Sequence, residues 1–475
     1  MTQCSLPGFE FEPLYHRKVV ANFSQNPISS DGGGLLLREA DRVTGLCKLL
    51  AACFKDFRSS NRIEHSVEDL IRQRLFAIAL GYEDLIDHDA LRHDPLLAVL
   101  VGKSDPTGQS RAYPRDRGKA LAGKSTLDRL ESAAEELSSD ENYAKFQVSH
   151  EAINRLFVTH FLHAHQKPPA QIILDLDTTD DPLHGNQEGR FFNGFYNHYC
   201  YLPLHVFCGE FLLAANLRRS NIDASHGTVE ALTTIVKRIR QHWLKTQIVI
   251  RADAGFARDS IMDWCENNQV YYILGLAKNA RLLEKVQHQM EKARRRCLAT
   301  GKPARRFRSF TYRTLNSWSR KRQVIGKAEY LPKGANPRFI VAHFPDSMGW
   351  AQKLYEEVYC ARGDMENRIK EQHLDLFADR TSSHEMASNQ LRLWFSSVAY
   401  LLIQSIRRLG LKGTAMAKAQ CGPIRTKLFK IGAMVKISVR RILVELSGGY
   451  PYKEVFQQAL HNLQQWTGPP QAMLA

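Results

Sequence analysis

No run of about 18 consecutive apolar residues occurs in the 475-residue sequence, so no helical membrane span is expected. The opening residues, MTQCSLPGFEFEPLYHRK, lack the long apolar centre of a secretory leader. Cysteine is sparse and unpatterned. The nine residues at 4, 47, 53, 200, 208, 265, 297, 360 and 421 include no C-x-x-C pair, and their spacing suits neither a zinc site nor a disulfide framework. Reduced thiols in a cytoplasmic protein are the expected state. Internal repeats and low-complexity tracts are missing too. Acid is in short supply: 49 Asp and Glu face 65 Lys and Arg, a net charge of +16. That excess favours a polyanionic partner, of which nucleic acid is the commonest. With 44% hydrophobic and 24% charged residues, wholesale disorder is excluded, and the length predicts two to four structural units.

The positive charge is concentrated. Between Glu291 and Lys327 stand 13 Lys and Arg against one acid, a segment suited to a phosphate backbone through counterion release. Around it the pattern divides the chain into five regions. Residues 1–165 read as helical, with Gly34–Ala52 and Ser66–Leu80 carrying apolar residues at helical spacing and Ser66 as a cap. Residues 166–279 read as a mixed α/β layer: strands at 171–179, 199–208, 210–217, 247–253 and 270–276, helices at 226–243 and 258–267. Residues 280–350 follow a helical lead-in with three basic, aromatic strands. Helix resumes over 351–410. The final 411–475 region reads as basic and helical, with IRTKLFKIGAMVKISVRRILVEL as one amphipathic helix or a pair.

Acids at strand ends carry the chemistry. In DLDTTDD (175–181), Asp175, Asp177 and Thr179 share one strand face, and a buried strand acid needs a partner, a proton or a metal. Asp253 closes QIVIRAD. Glu366 lies in YCARGDMENRIKEQH, where a helix would place Tyr359, Arg362, Glu366, Lys370 and His373 in a stripe about 80° wide. A carboxylate flanked by phenol, guanidinium, ammonium and imidazole suits a metal ligand beside phosphate-holding groups. Two strand acids and one helix acid would meet the need of phosphodiester chemistry for two hard cations. The spacing alone leaves Asp175 and Asp177 equally placed.

These motifs resemble the DDE transposases of bacterial insertion sequences, within the Tn-five-like branch and most closely the insertion-sequence 1380 group. LDLDTTDDPLHGNQEG looks like the block of the first aspartate, IVIRADAGFARD like that of the second, and Y-x2-R-x3-E stands intact as Tyr359, Arg362 and Glu366. SSDGGGLLLREADRVTGL and NQLRLWFSSVAYLLIQSIRR extend the likeness to both ends. The resemblance implies a ribonuclease-H-like mixed sheet core with an inserted β-rich subdomain, preceded and followed by mainly helical regions. It implies Asp177, Asp253 and Glu366 as catalytic acids holding two Mg²⁺ ions, for which Mn²⁺ could substitute. DNA contacts are then expected from Tyr359, Arg362, Lys370 and His373, with His373 standing where the family often has lysine. Trp318 in NSWSRKR, flanked by Arg320, Lys321 and Arg322, is the candidate to sit beside a displaced base. Double-stranded DNA, both transposon inverted repeats and target, is the implied partner of a homodimer in the bacterial cytoplasm, associated with the nucleoid. Cut-and-paste transposition is the implied activity. Two alternatives stand beside it: an inactive or domesticated end-binding protein, and a haloacid-dehalogenase-like phosphatase reading D-L-D-T-T with Asp175 as nucleophile.

Overall fold

A computed structural model describes residues 9–21, 23, 27–135, 145–344 and 351–468. The parts of the expected N-terminal, insertion and C-terminal regions at 1–8, 22, 24–26, 136–144, 345–350 and 469–475 lie outside the described residues.

At its centre is one long sheet. Its strands are β1 (Gln171–Thr178), β2 (Leu204–Cys208), β3 (Phe211–Asn216), β4 (Gln247–Ala252), β5 (Tyr271–Leu276), β6 (Ala304–Tyr312), β7 (Arg322–Leu331) and β8 (Arg338–His343), in the spatial order β3-β2-β1-β4-β5-β8-β7-β6. A short strand, Gly334–Ala335, also pairs with β7. β4 runs parallel to both β1 and β5, whereas β2 is antiparallel to β1 and to β3. Register places Arg251 beside Asp175 and His205 beside Asp177.

The basic insertion does not form a separate sheet. β8 pairs antiparallel with β5 through Tyr272 and His343, so the inserted strands prolong the central layer. Helices cover its faces: α1 (His150–His163), α2 (Thr228–His242), α3 (Asp259–Asn267) and α4 (Ala280–Thr300). Leu232, Ile235, Val236 and Ile239 of α2 and Ile261, Met262 and Cys265 of α3 bury against Leu174, Leu176, Ile248 and Ile250. This area removed from water is the main stabilising contribution. α1 joins the same core through Val158, Phe161 and Leu162, although it precedes residue 166.

The expected strand over 199–208 is interrupted. Residues 198–201 form a ribbon with 191–193 and 181–182, and β2 starts only after Pro203, which has no N–H to give a ladder. The helix at 67–80 forms as expected, with Ser66 and Asp69 completing a reciprocal cap. The helical reading of 34–52 breaks at Gly45, whose positive φ of 67° divides it into 35–44 and 46–51.

The C-terminal expectation needs correction. Residues 425–429 are helical, but Ala433–Ile437 and Ile442–Leu446 pair as an antiparallel hairpin. Its turn holds Arg440 and Arg441, and Ser438 N–H donates to the Arg441 carbonyl. Ala433 and Val435 are buried while Met434 between them is half-buried and Lys436 is exposed, an incomplete strand-like alternation that the apolar and basic composition concealed. This hairpin also pairs with Ile28–Ser29. The N-terminal helices, this C-terminal segment and the buried helix α6 (Met386–Ser405) share a single core. Gly33 belongs to that junction: a Cβ there would stand 1.6 Å from the Leu428 carbonyl.

Candidate active site

The acids gather at one end of the central strands. Asp177 is the penultimate residue of β1, and Asp253 directly follows β4, its neighbour. Asp253 Oδ1 accepts the Gly255 N–H at 2.8 Å, capping the short turn 254–256 and fixing the carboxylate. Glu366 sits in the first turn of α5 (Gly363–Leu376), where the positive end of the helix favours a carboxylate.

Arg362 joins two of the three. One guanidinium nitrogen lies 3.3 Å from Asp177 Oδ2 and the other 2.6 Å from Glu366 Oε1. Burial opposes the Arg362 charge, but Asp177 and Glu366 outweigh it and raise its pKa. Asp177 shows the reverse balance. Burial pushes its carboxyl up, Arg362 pulls it down, and the charges of Asp253 and Glu366 raise it again, to about 6. The three acids therefore share one electrostatic environment, with the Arg362 guanidinium among them.

The structure separates Asp175 from Asp177. Asp175 is 4% exposed and bound at two points by Arg251, Nε to Oδ1 at 2.5 Å and NH2 to Oδ2 at 2.8 Å. Arg251 also donates to the Val358 carbonyl, one residue before Tyr359. A carboxylate so enclosed is a structural counterion, and it has no open face from which to attack a phosphate. The phosphatase reading loses its nucleophile on that geometry.

Tyr359 ends a wide helical turn, Leu354–Tyr359, of the kind common at functional sites. Its hydroxyl packs against Gly275, where an added Cβ would stand 2.6 Å away. Burial raises the phenol, Arg362 lowers it and Asp253 raises it, so Tyr359 borders the acid cleft. Lys370 is exposed on α5. His373 is turned inward, with Nε2 3.6 Å from Asp181 Oδ1.

Trp318 and two of its basic neighbours are not placed as expected. Trp318 is 3% exposed, packs edge-on to Tyr312, and belongs to the core beneath β7. Arg322 is 4% exposed and ion-paired with Asp259, Asp263 and Glu266 of α3, while Arg320 bonds Asp263 and Glu266. Apolar burial fixes the indole, and the acids of α3 consume the two guanidinium groups. Lys321 remains exposed. The open positive surface lies instead on α4, β6 and the turn between them, where Lys292, Arg294, Arg295, Arg296, Lys302 and Arg306 are exposed.

Several residues at the site escaped the sequence reading. Arg251, a charge inside an apolar strand, was the available signal for the partner of Asp175. Tyr196 had none: its phenol, raised to about 12 by burial and then by Asp180 and Asp177, is brought to the cleft only by the ribbon 191–201. Among the described residues, no three His, Cys, Asp or Glu side chains already stand in a metal-ligating group. The donor set nevertheless fits a hard cation: three carboxylates, two of them now shared with a guanidinium. Among the described residues no helix is long and apolar enough to cross a membrane.

The family described as Transposase DDE domain group 1 matches residues 11–467, and the chain belongs to it. It is thus a transposase, an enzyme class that cuts and transposes DNA. No curated protein matches the chain. Among solved structures it is similar to a piggyBac transposase synaptic complex with hairpin DNA, at 12% identity over 95% of this chain and 86% of that one, with a TM-score of 0.37.

Proposed function

We propose that the chain cuts DNA at transposon ends and joins the freed ends to target DNA, with Asp177, Asp253 and Glu366 as its catalytic acids. The observation that carries this reading is the convergence of two adjacent strand ends and one helix start around the Arg362 guanidinium. The order β3-β2-β1-β4-β5, with only β2 reversed against its neighbour β1, supports a ribonuclease-H-like core. The insertion-sequence 1380 group is the branch its motifs favour.

Asp177, Asp253 and Glu366 would hold two divalent ions, Mg²⁺ or Mn²⁺, which when bound supply Lewis acidity toward a phosphodiester. The residues of the chain do the rest. Arg362, released from the carboxylates, holds a non-bridging phosphate oxygen by paired N–H bonds. Lys370, exposed one turn beyond Glu366, meets the neighbouring phosphate. Tyr359 walls the cleft and narrows the approach of water. The cationic face of α4 and β6 carries the flanking duplex through phosphate contacts, which position DNA without reading its sequence. Two chains would act together on two ends.

The test is cleavage of a supercoiled donor bearing both inverted repeats. Asp177→Ala, Asp253→Ala and Glu366→Ala are each expected to abolish nicking in Mg²⁺ while retaining end binding by gel shift. Near-normal cleavage by any of them would remove that acid from the assignment. Mass photometry of the end complex is expected to give two chains per pair of ends.

A further inference from the structure

A second polar group lies beside the acids and has no part in the chemistry above. Asp181 opens the two-residue strand that follows β1 and pairs with Tyr201. It is 0% exposed, and neither carboxyl oxygen has a hydrogen-bond partner. His373 approaches from α5, seven positions after Glu366, its Nε2 3.6 Å from Asp181 Oδ1 and otherwise unpartnered. His205, also 0% exposed, stands in register with Asp177 on β2, its ring centre 6.5 Å from that of His373.

Buried polar groups without partners are destabilising, and among the described residues His373 is the basic side chain within ion-pair distance of the Asp181 carboxyl. We propose that His373 and Asp181 form a buried imidazole–carboxyl couple that fixes the spacing between the strand of Asp177 and the helix of Glu366. Both are then positioning residues, and His373 does not touch phosphate. This rests on the reading of Asp177 and Glu366 as catalytic acids.

Three observations support it. The couple spans the segment just after β1 and the helix α5, the two elements whose separation sets the distance from Asp177 to Glu366. The His373 side chain is 16% exposed and faces a carboxyl, the wrong surroundings for gripping a phosphate. Burial, reinforced by Asp379 and Asp180, raises the Asp181 carboxyl well above its usual range, while burial lowers the His373 imidazole. A neutral acid and a neutral imidazole can close a single O–H···N bond with no charge left buried.

The test uses the full chain and the variants Asp181→Leu, His373→Leu, His373→Gln and the double Asp181→Leu/His373→Leu. Each single leucine leaves one buried polar group alone, whereas the double removes both. The Tm loss of the double is therefore expected to be smaller than the sum of the singles, and additive losses would overturn the couple. The folded double variant is expected to cleave DNA at least about tenfold more slowly at saturating DNA, since small displacements of reacting groups are costly, with affinity within about twofold of wild type. Wild-type cleavage by the double would overturn the positioning role. His373→Gln, whose amide can still pair with Asp181, is expected to lie nearer wild type than His373→Leu in both readouts. A fall of about one in the salt slope of DNA binding in His373→Leu would instead mark a phosphate contact and overturn the proposal. The unfolding comparison needs no DNA and decides the couple by itself; a wild-type chain that cuts nothing counts against the assignment of the acids.

Discussion

Arg251 and Asp175 form a two-point ion pair across adjacent strands, with both side chains under a tenth exposed. The pair lies two residues inward from Asp177, the next position on the same strand face, so two acids of like sequence context have opposite fates. Asp175→Ala is expected to cost about 3–5 kcal/mol of folding stability, because it leaves a buried guanidinium unpaired. Asp177→Ala removes a carboxyl that its surroundings already disfavour as an anion, and should leave stability near wild type or above it. Urea unfolding of the two variants checks this. Equal losses would contradict it.

Arg362 occupies the same two carboxylates that a cation would need. Arg362→Ala should therefore bind Mn²⁺ alone several-fold more tightly by calorimetry, while cutting DNA at least about tenfold more slowly for want of a phosphate ligand. Unchanged Mn²⁺ affinity would show that the guanidinium does not compete for these oxygens.

A methyl group at position 275 tests the wall of the cleft. The added Cβ of Gly275→Ala would meet the Tyr359 hydroxyl at 2.6 Å, Ala254 N at 2.8 Å and the Asp253 carbonyl carbon at 3.0 Å. Two of these are backbone, so relief must shift the Asp253 turn. A loss of about 1–3 kcal/mol in stability is expected. Cleavage should fall more steeply than DNA affinity. Full activity in a well-folded variant would mean that the Tyr359 contact is unimportant.

Acid should unfold the chain through histidine. His65, His88 and His160 are buried and held near 3, by burial first and by neighbouring positive charge second. Their folded-state values lie below the unfolded value of about 6.5, so the unfolded chain binds more protons between those limits. The contribution of these three histidines is then flat above about 6.5 and falls as pH drops toward 3, by about 1.4 kcal/mol per pH unit for each that is fully differential, while the raised carboxyls of Asp177 and Asp181 act in the opposite direction. The difference in denaturant midpoint between wild type and His160→Gln from pH 7.5 to 4.5 checks the sign: wild type should lose stability relative to the variant as pH falls, and a constant difference would refute it.

How much of this was readable beforehand depended on the reach of each interaction. Ser66 and Asp69 act within one turn, and the helix they start was legible. The stripe of Tyr359, Arg362 and Glu366 is also local, but the inward turn of His373 depends on Asp181, far away in sequence. Trp318 and Arg322 looked like a basic aromatic motif because composition does not report that α3 supplies three acids beneath them. The hairpin at 433–446 was misread because its turn carries two arginines and its strands alternate imperfectly. The choice between Asp175 and Asp177 needed the register of β1 on β4, which no local pattern contains.

The order of the segments has a consequence for synthesis. β1, with its first acid, is the middle strand of the core, yet it precedes the strands that flank it; the third acid arrives on α5 only after the whole basic insertion. A chain that ends after His343 and before Arg362 contains every strand of the central sheet and the cationic face, but lacks Arg362 and Glu366. On the proposed reading, fragments of this protein can hold DNA before any of them can cut it. Premature termination would thus yield competitors of the full-length chain instead of uncontrolled nucleases.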